Sequence, residues 1–460
     1  MKKAMGSGML AQIVKGGFCI GCGACASVIP SKISMEFDGY GLFKPVLPEQ
    51  LDEEELLNVC PFADEGSNED QLAELFFPKG KKDVHLGHYE SIYTGHVTEG
   101  DYRSRGSSGG VVSWILAELL KQGLVDGVIH VKAGPSPTDR LFEYTISTSV
   151  EEVLAGAKSK YYPIEMSRVM DEIRTREGRF VFVGIPCFIK AARNLACLDP
   201  EINKRIRYYV GLVCGHLKSK AFADCVAWQA GIEPGKLESV DFRVKLPAGR
   251  VSEYGIKVCG DGVEKTAPVA SYYGTDWGLG FFKYSACEYC DDVFAETADV
   301  AVGDAWLAKY MDDPLGNSVV ISRTGDLDNL IQIALKETRL NFVECSVEDA
   351  VESQSGGLRH RRDGLSFRLA MKRDAGEWAP LKRVPVNCNA VGKHRRKIYA
   401  LREDLRVRSH ELWRDAVAQG DFNYFRKGMR NLLNRYSRLY VSFPRRLARK
   451  IKLLLLGEKG

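Results

Sequence analysis

Cys19, Cys22 and Cys25 follow one another at x2 spacing, and a further cysteine, Cys60, stands in front of Pro61. Iron–sulfur clusters need four soft anionic ligands, which thiolates supply. Three cysteines in one tight loop wrap three corners of a cubane, and Gly21 and Gly23 let the backbone turn close to it. The run closes on Ile29-Pro30, where a two-cluster ferredoxin carries a fourth cysteine. That fourth cysteine serves the neighbouring cluster, while each cluster's own last ligand comes from a distant Cys-Pro. The spacing therefore predicts one 4Fe–4S cluster on Cys19, Cys22, Cys25 and Cys60. Zinc is the competing metal, but its structural sites favour two separated C-x2-C pairs, which this run fits poorly.

A second set of four is Cys187, Cys214, Cys287 and Cys290. Pattern alone leaves it open. A lone C-x2-C pair such as Cys287–Cys290 is equally a redox-active dithiol or half a zinc site, and buried structural cysteines are common. Cys197, Cys225, Cys259, Cys345 and Cys388 read as plain buried thiols.

Two stretches suit a phosphate or a ring. Ser107, Ser108, Gly109 and Gly110 end a Gly/Ser loop that opens the apolar helix from Val111, offering backbone N–H groups and a positive dipole end. The loop is neither a Walker A motif nor a G-x-G-x-x-G fingerprint, and an ordinary capped helix start explains it as well. Lys158, Ser159, Lys160 and Tyr161 supply two cations and an aromatic ring, or else a solvated loop.

The elements that must position these residues read as four segments. Residues 1–63 hold the cysteine run and form a ferredoxin-like module. Residues 64–84 are polar and read as a linker. Residues 85–345 alternate strand-like and helix-like pieces, an α/β (α+β) body. Residues 346–460 are helical and increasingly basic. Within the body, Arg179-Phe-Val-Phe-Val-Gly runs as a strand into Cys187, and Arg207-Tyr-Tyr-Val-Gly-Leu-Val runs as a strand into Cys214. A helix follows each, Phe188 to Leu195 and Ser219 to Ala230. In a parallel sheet both strand ends share one edge, where ligand sites form, and a helix N-terminus favours a thiolate.

Composition excludes several classes. A chain of 460 residues with 45% hydrophobic and 27% charged residues is globular and long enough for two or three domains. No signal peptide and no run of roughly 18 apolar residues appears, so the expected location is the cytoplasm, where thirteen cysteines suit metal binding better than disulfides. Residues 391–460 carry 19 Lys and Arg against 6 Asp and Glu, leaving an acidic body with a basic tail. Ser442 to Leu456 mixes cations with an apolar face, which suits peripheral contact with the inner membrane surface, a partner, or an ordinary solvated helix. No nucleic-acid motif is present.

In order, Ser107-Ser-Gly-Gly-Val, Lys158-Ser-Lys-Tyr, Gly184-Ile-Pro-Cys, Cys214-Gly-His-x-Lys-Ser, Cys287-x2-Cys and Ala298-Asp-Val-Ala-Val-Gly-Asp-Ala-Trp resemble the coenzyme F-420 hydrogenase/dehydrogenase beta-subunit family, to which 7-hydroxymethyl chlorophyll a reductase is related. The resemblance covers roughly residues 10–345. It implies FAD in the α/β body and a 4Fe–4S cluster on Cys187, Cys214, Cys287 and Cys290, two clusters in all. The Ser/Gly loop, the Lys-Ser-Lys-Tyr segment and Gly303, Asp304 and Trp306 fall where it implies flavin contacts. Its implied activity is electron passage between a one-electron donor such as ferredoxin and a two-electron organic substrate or deazaflavin. Bacterial members accompany polysaccharide-synthesis genes, which extends the expectation to envelope glycan pathways. His216, Lys160 and Asp304 are the proton-handling candidates; His216 and Asp304 also suit hydrogen-bonding roles behind a cysteine loop. The competing readings are a non-catalytic electron-relay subunit of a hydrogenase-like complex and a cluster-bearing structural or regulatory protein.

Overall fold

The protein is described from a computed structural model over residues 8–136, 140–247 and 249–440. Its centre is one eight-stranded mixed sheet. In chain order the strands are β1 (Ser91–Val97), β2 (Gly127–Ala133), β3 (Phe142–Ser147), β4 (Phe180–Gly184), β5 (Ile206–Leu212), β6 (Val300–Asp304), β7 (Ser318–Ser322) and β8 (Leu340–Glu344). They lie side by side as β8-β1-β7-β6-β5-β4-β2-β3. The central β6, β5, β4 and β2 run parallel, and the flanking pairings are antiparallel.

Every residue of β4 is buried, as a continuous apolar run requires when both faces of a parallel strand are covered. Its alternation assigns the faces. Phe180 and Phe182 join a core with Phe188 and Ile189 of the helix Pro186–Leu198. Val181 and Val183 join another with Trp114 and Ile115 of the helix Val111–Lys121. The first core also takes in the N-terminal residues Leu10, Ile13 and Phe43, so residues 8–63 pack onto the body. They comprise short helices and a hairpin, Ser34–Phe37 with Phe43–Val46.

The 64–84 stretch is more than a polar connector. Asn68 and Gln71 close a capping box on the helix Glu69–Phe76, and Glu69 is buried against Lys190 at 3.4 Å. A separate antiparallel sheet, Ser239–Val244, Gly255–Gly260 and Val263–Pro268, is inserted between β5 and β6. It shares a third core with helices Lys220–Gln229, Lys393–Gln419 and Phe422–Tyr440. The described part of the C-terminal extension is helical except for the irregular stretch 375–392. Among the described residues no helix is long and apolar enough to cross a membrane. The basic segment Ser442 to Leu456 lies outside the described residues.

Candidate functional site

The carboxyl ends of β4, β5 and β6 share one edge, and the cysteines gather there. Cys187 is the second residue of the helix that follows β4, with Pro186 before it. Cys214 follows β5 in a loop; the next helix begins only at Lys220, so no helix dipole serves that thiol. Cys287 and Cys290 come from a tight turn ahead of β6. All four are packed together. Arg361 donates to Cys290 Sγ at 2.9 Å and to Cys214 Sγ at 3.6 Å, and Leu217 N donates to Cys287 Sγ at 3.3 Å. Burial, then the charges of Cys290, Cys214 and Cys287, push the Cys187 thiol well above its ordinary range. Burial likewise moves Cys287 and Cys290 to about 11, with Arg361 opposing it in both. Burial pulls Arg361 down, but the surrounding sulfurs outweigh it and hold its guanidinium above the usual value.

Cys19, Cys22, Cys25 and Cys60 line one small recess with Leu10, Ile13 and Met35. The loop is possible because Gly21 and Gly23 sit at φ 74° and 82°. A Cβ on Gly21 would come within 2.5 Å of Phe43 O. Burial raises Cys25 well above its ordinary range, and Cys22, Cys19 and Cys60 add to it. Cys60 itself moves to about 11, chiefly by burial. The two quartets are neighbours, since Cys22 also contributes to the rise at Cys187. Among the described residues no three His, Cys, Asp or Glu side chains are set to hold a single metal ion. Of the five remaining cysteines Cys225 alone is buried; Cys197 is exposed and the others half-buried, so burial is not the common reason for them.

Beside the second quartet lies an inner pocket of about 230 Å³. Ser107, Ser108, Gly110, Lys158, Ser159, Lys160, Gly303 and Asp304 all line it. Gly109 does not; it packs under β7, where a Cβ would meet Ser318 and Gly95 O. Gly110 caps the helix at φ 81°, with no room for a Cβ beside Tyr102. Ser159 N donates to Ser107 Oγ at 2.9 Å, joining the two predicted stretches. Lys158 takes φ 75°, rare for a side-chain-bearing residue, which marks a constrained turn at the pocket wall. Burial, aided by Lys158, lowers Lys160 to about 8 against the pull of Asp241. The pocket is tied to the second quartet by Ile185 and Val213, which lie two residues from Cys187 and next to Cys214.

Tyr161, Trp306 and His216 line a second, larger cleft of about 1000 Å³. Ser159, Val213 and Asp304 line both spaces, so the two adjoin. His216 stacks on Trp277 with ring centroids 4.4 Å apart. Burial and then Lys218 and Lys283 hold it well below its ordinary pKa, hence neutral near pH 7. Asp304 pairs with Arg243 at 3.2 Å. Arg243 also donates to Tyr161 Oη and to the Ser107 carbonyl, tying four stretches of chain together at the boundary of the two spaces. Sequence reading misses Arg243 and Arg361. Neither sits in a motif, and each reaches its partners only through the tertiary fold.

Two family models match this arrangement. Coenzyme F420 hydrogenase/dehydrogenase, beta subunit N-term, matches residues 92–171, and the corresponding C-terminus model matches residues 177–348, together more than half of the chain. The chain belongs to the coenzyme F420 hydrogenase/dehydrogenase beta-subunit family. Among relatives of this beta-subunit homologue is coenzyme F420-dependent sulfite reductase from Methanocaldococcus jannaschii, 25% identical over 418 residues. That match takes in 80% of this chain and 58% of the relative, so the chain spans under two thirds of that protein. Coenzyme F420 hydrogenase subunit beta from Methanothermobacter thermautotrophicus is 24% identical over 257 residues, 55% of this chain and 83% of the relative. A chain of the F420-reducing nickel–iron hydrogenase complex from Methanosarcina barkeri matches with a TM-score of 0.48 at 18% identity, covering 66% of this chain and 98% of that one. The inner pocket and the second quartet fall within the matched span. The first quartet and everything after residue 348 fall outside the two family models.

Proposed function

We propose that this chain is an iron–sulfur flavoprotein oxidoreductase that exchanges electrons between a one-electron donor of ferredoxin type and a two-electron organic substrate, deazaflavin included. One observation carries the reading: two quartets of thiols, buried but for the half-buried Cys19, Cys60 and Cys187, adjoin each other, and the second borders a pocket whose wall offers a helix N-terminus and lysines. Eight thiols gathered in two groups, with a guanidinium at one, suit soft multinuclear metal ligation. Zinc's tetrahedron, at about 2.3 Å to each sulfur, is a tighter arrangement than a cubane's, and neither quartet is set for a single ion.

Cys19, Cys22, Cys25 and Cys60 would hold one 4Fe–4S cluster, Cys187, Cys214, Cys287 and Cys290 the other. Ser107, Ser108, Gly110, Lys158 and Lys160 would receive the phosphates or ring of FAD. When bound, the clusters supply one-electron transfer and the flavin supplies two-electron exchange with the organic substrate. The chain's own residues hold the pieces in contact. Arg361 and Leu217 N donate to sulfur and offset its charge. Arg243 fixes Asp304 where the inner pocket meets the larger cleft. His216, held neutral beside Cys214, adds no further cation there.

Iron, sulfide and flavin content of anaerobically purified protein tests the reading. Two 4Fe–4S sites predict about eight irons and one FAD per chain, and absence of flavin overturns it. A second reading, an electron-relay subunit within a larger complex, is favoured by relatives named as hydrogenase and dehydrogenase subunits. It predicts a flavin reducible only in the presence of partner subunits.

A further inference from the structure

The chain beyond residue 348 lies outside the two family models, yet it builds a wall of the larger cleft. Arg359 and Arg361 come from the helix Ser355–Arg361, and Arg395, Tyr399 and Arg402 from the helix Lys393–Gln419. Arg361 is engaged with the thiols. The other three line the cleft around Tyr399, whose hydroxyl donates to the Arg359 carbonyl at 3.2 Å; after burial and Arg368, Arg395, Arg402 and Arg359 act on that phenol. Among the described residues none of the three pairs with a carboxylate. Arg402 donates through Nε and Nη2 to the Tyr436 and Tyr440 hydroxyls, at 3.1 and 3.2 Å, which leaves Nη1. The lining carboxylates are Asp276, Asp304 and Glu352, of which Asp304 is taken by Arg243.

Three guanidiniums against the two carboxylates left, Asp276 and Glu352, keep this wall net positive, and a guanidinium matches carboxylate or phosphate in a bidentate fork. Tyr254, Trp277 and Trp306 line the same cleft with flat apolar faces suited to a carbon skeleton. The volume of about 1000 Å³ is that of a small-molecule site. An occupant would border the inner pocket through Ser159, Val213 and Asp304.

We propose that Arg359, Arg395 and Arg402 form an anion-recognising wall that selects an organic substrate bearing a carboxylate or phosphate group. The role of that molecule as electron partner rests on the proposed function; the anion site stands without it.

Calorimetric titration of the full chain with pyrophosphate, citrate and neutral glucose, before and after loading with FAD, tests this. Arg359→Gln and Arg395→Gln are the variants; Arg359 is exposed and Arg395 half-buried, and a thermal melt checks that both fold. At least one anion is expected to bind and glucose not to. Loading with FAD should leave binding in place, and each substitution should weaken it about tenfold, the worth of one charged hydrogen-bond pair. The tighter of pyrophosphate and citrate identifies the group. Absence of anion binding in the unmodified chain, unchanged affinity in Arg395→Gln, or displacement of the anion by FAD overturns the proposal. Failure of FAD to bind would sink the flavin reading alone and leave the anion titration decisive.

Discussion

The two thiol quartets are built in opposite ways. Cys19, Cys22 and Cys25 come from one loop, and only Cys60 must arrive from elsewhere. Cys187, Cys214, Cys287 and Cys290 come from three separate strand ends or turns and meet only when β4, β5 and β6 lie in register. Their surroundings differ too. The first lies in a recess lined mostly by apolar side chains; Lys190 acts on Cys60 but is paired with Glu69. The second takes direct donation from Arg361 and Leu217. Positive charge and hydrogen bonds at sulfur favour the reduced, more negative state. If both hold clusters, the second is the better electron acceptor, and it is the one beside the inner pocket.

The strongest way to break this contrast is to remove one quartet at a time. Cys25→Ser is expected to lower iron from about eight to about four per chain while leaving flavin content unchanged; unchanged iron would remove the first site. The next effect is electrostatic. Arg361→Gln should lower the potential of the second site by about 60 mV, one tenfold step for a one-electron couple, and Arg361→Lys should recover part of it. Redox titration followed by electron paramagnetic resonance reads both, and equal shifts at the two sites would erase the asymmetry.

A smaller effect separates the two anion-binding regions. Burial lowers Lys160 from 10.5 to about 8, so it is charged below that pH and neutral above it. FAD affinity is therefore expected to fall as pH rises through 8, while anion binding at the arginine-lined cleft stays level between about pH 7 and 9, because guanidinium does not titrate there. Fluorescence titration of FAD at both pH values checks it. Smallest is Asn68→Ala, which removes the capping box next to Glu69 and should cost about 1 kcal/mol in a chemical or thermal melt without changing iron content.

Much of this was legible early. The strands into Cys187 and Cys214 follow from continuous apolar runs bounded by Gly and Pro, and their shared edge follows from parallel pairing. The Ser/Gly loop and the Lys158–Lys160 segment each read as a phosphate contact or nothing. Only the hydrogen bond from Ser159 N to Ser107 Oγ makes them one wall. Gly109 and Trp306 show the limit of reading a motif as a unit: one turns into β7, the other faces the larger cleft. The 64–84 stretch was misleading because its polar composition hides a buried Glu69, whose partners Lys190 and Arg383 lie far along the chain.

Sequence alone determined what is local: the x2 spacing of the first three cysteines, the glycines that permit their loop, and the period of the central strands. These depend on backbone geometry within a few residues. The tertiary structure decided which distant charges meet. Arg243 reaches Asp304, Arg361 reaches Cys214 and Cys290, and three further arginines reach one cleft. No local pattern encodes such pairings, because a charge buried by the fold takes its partner from whatever element the packing brings beside it.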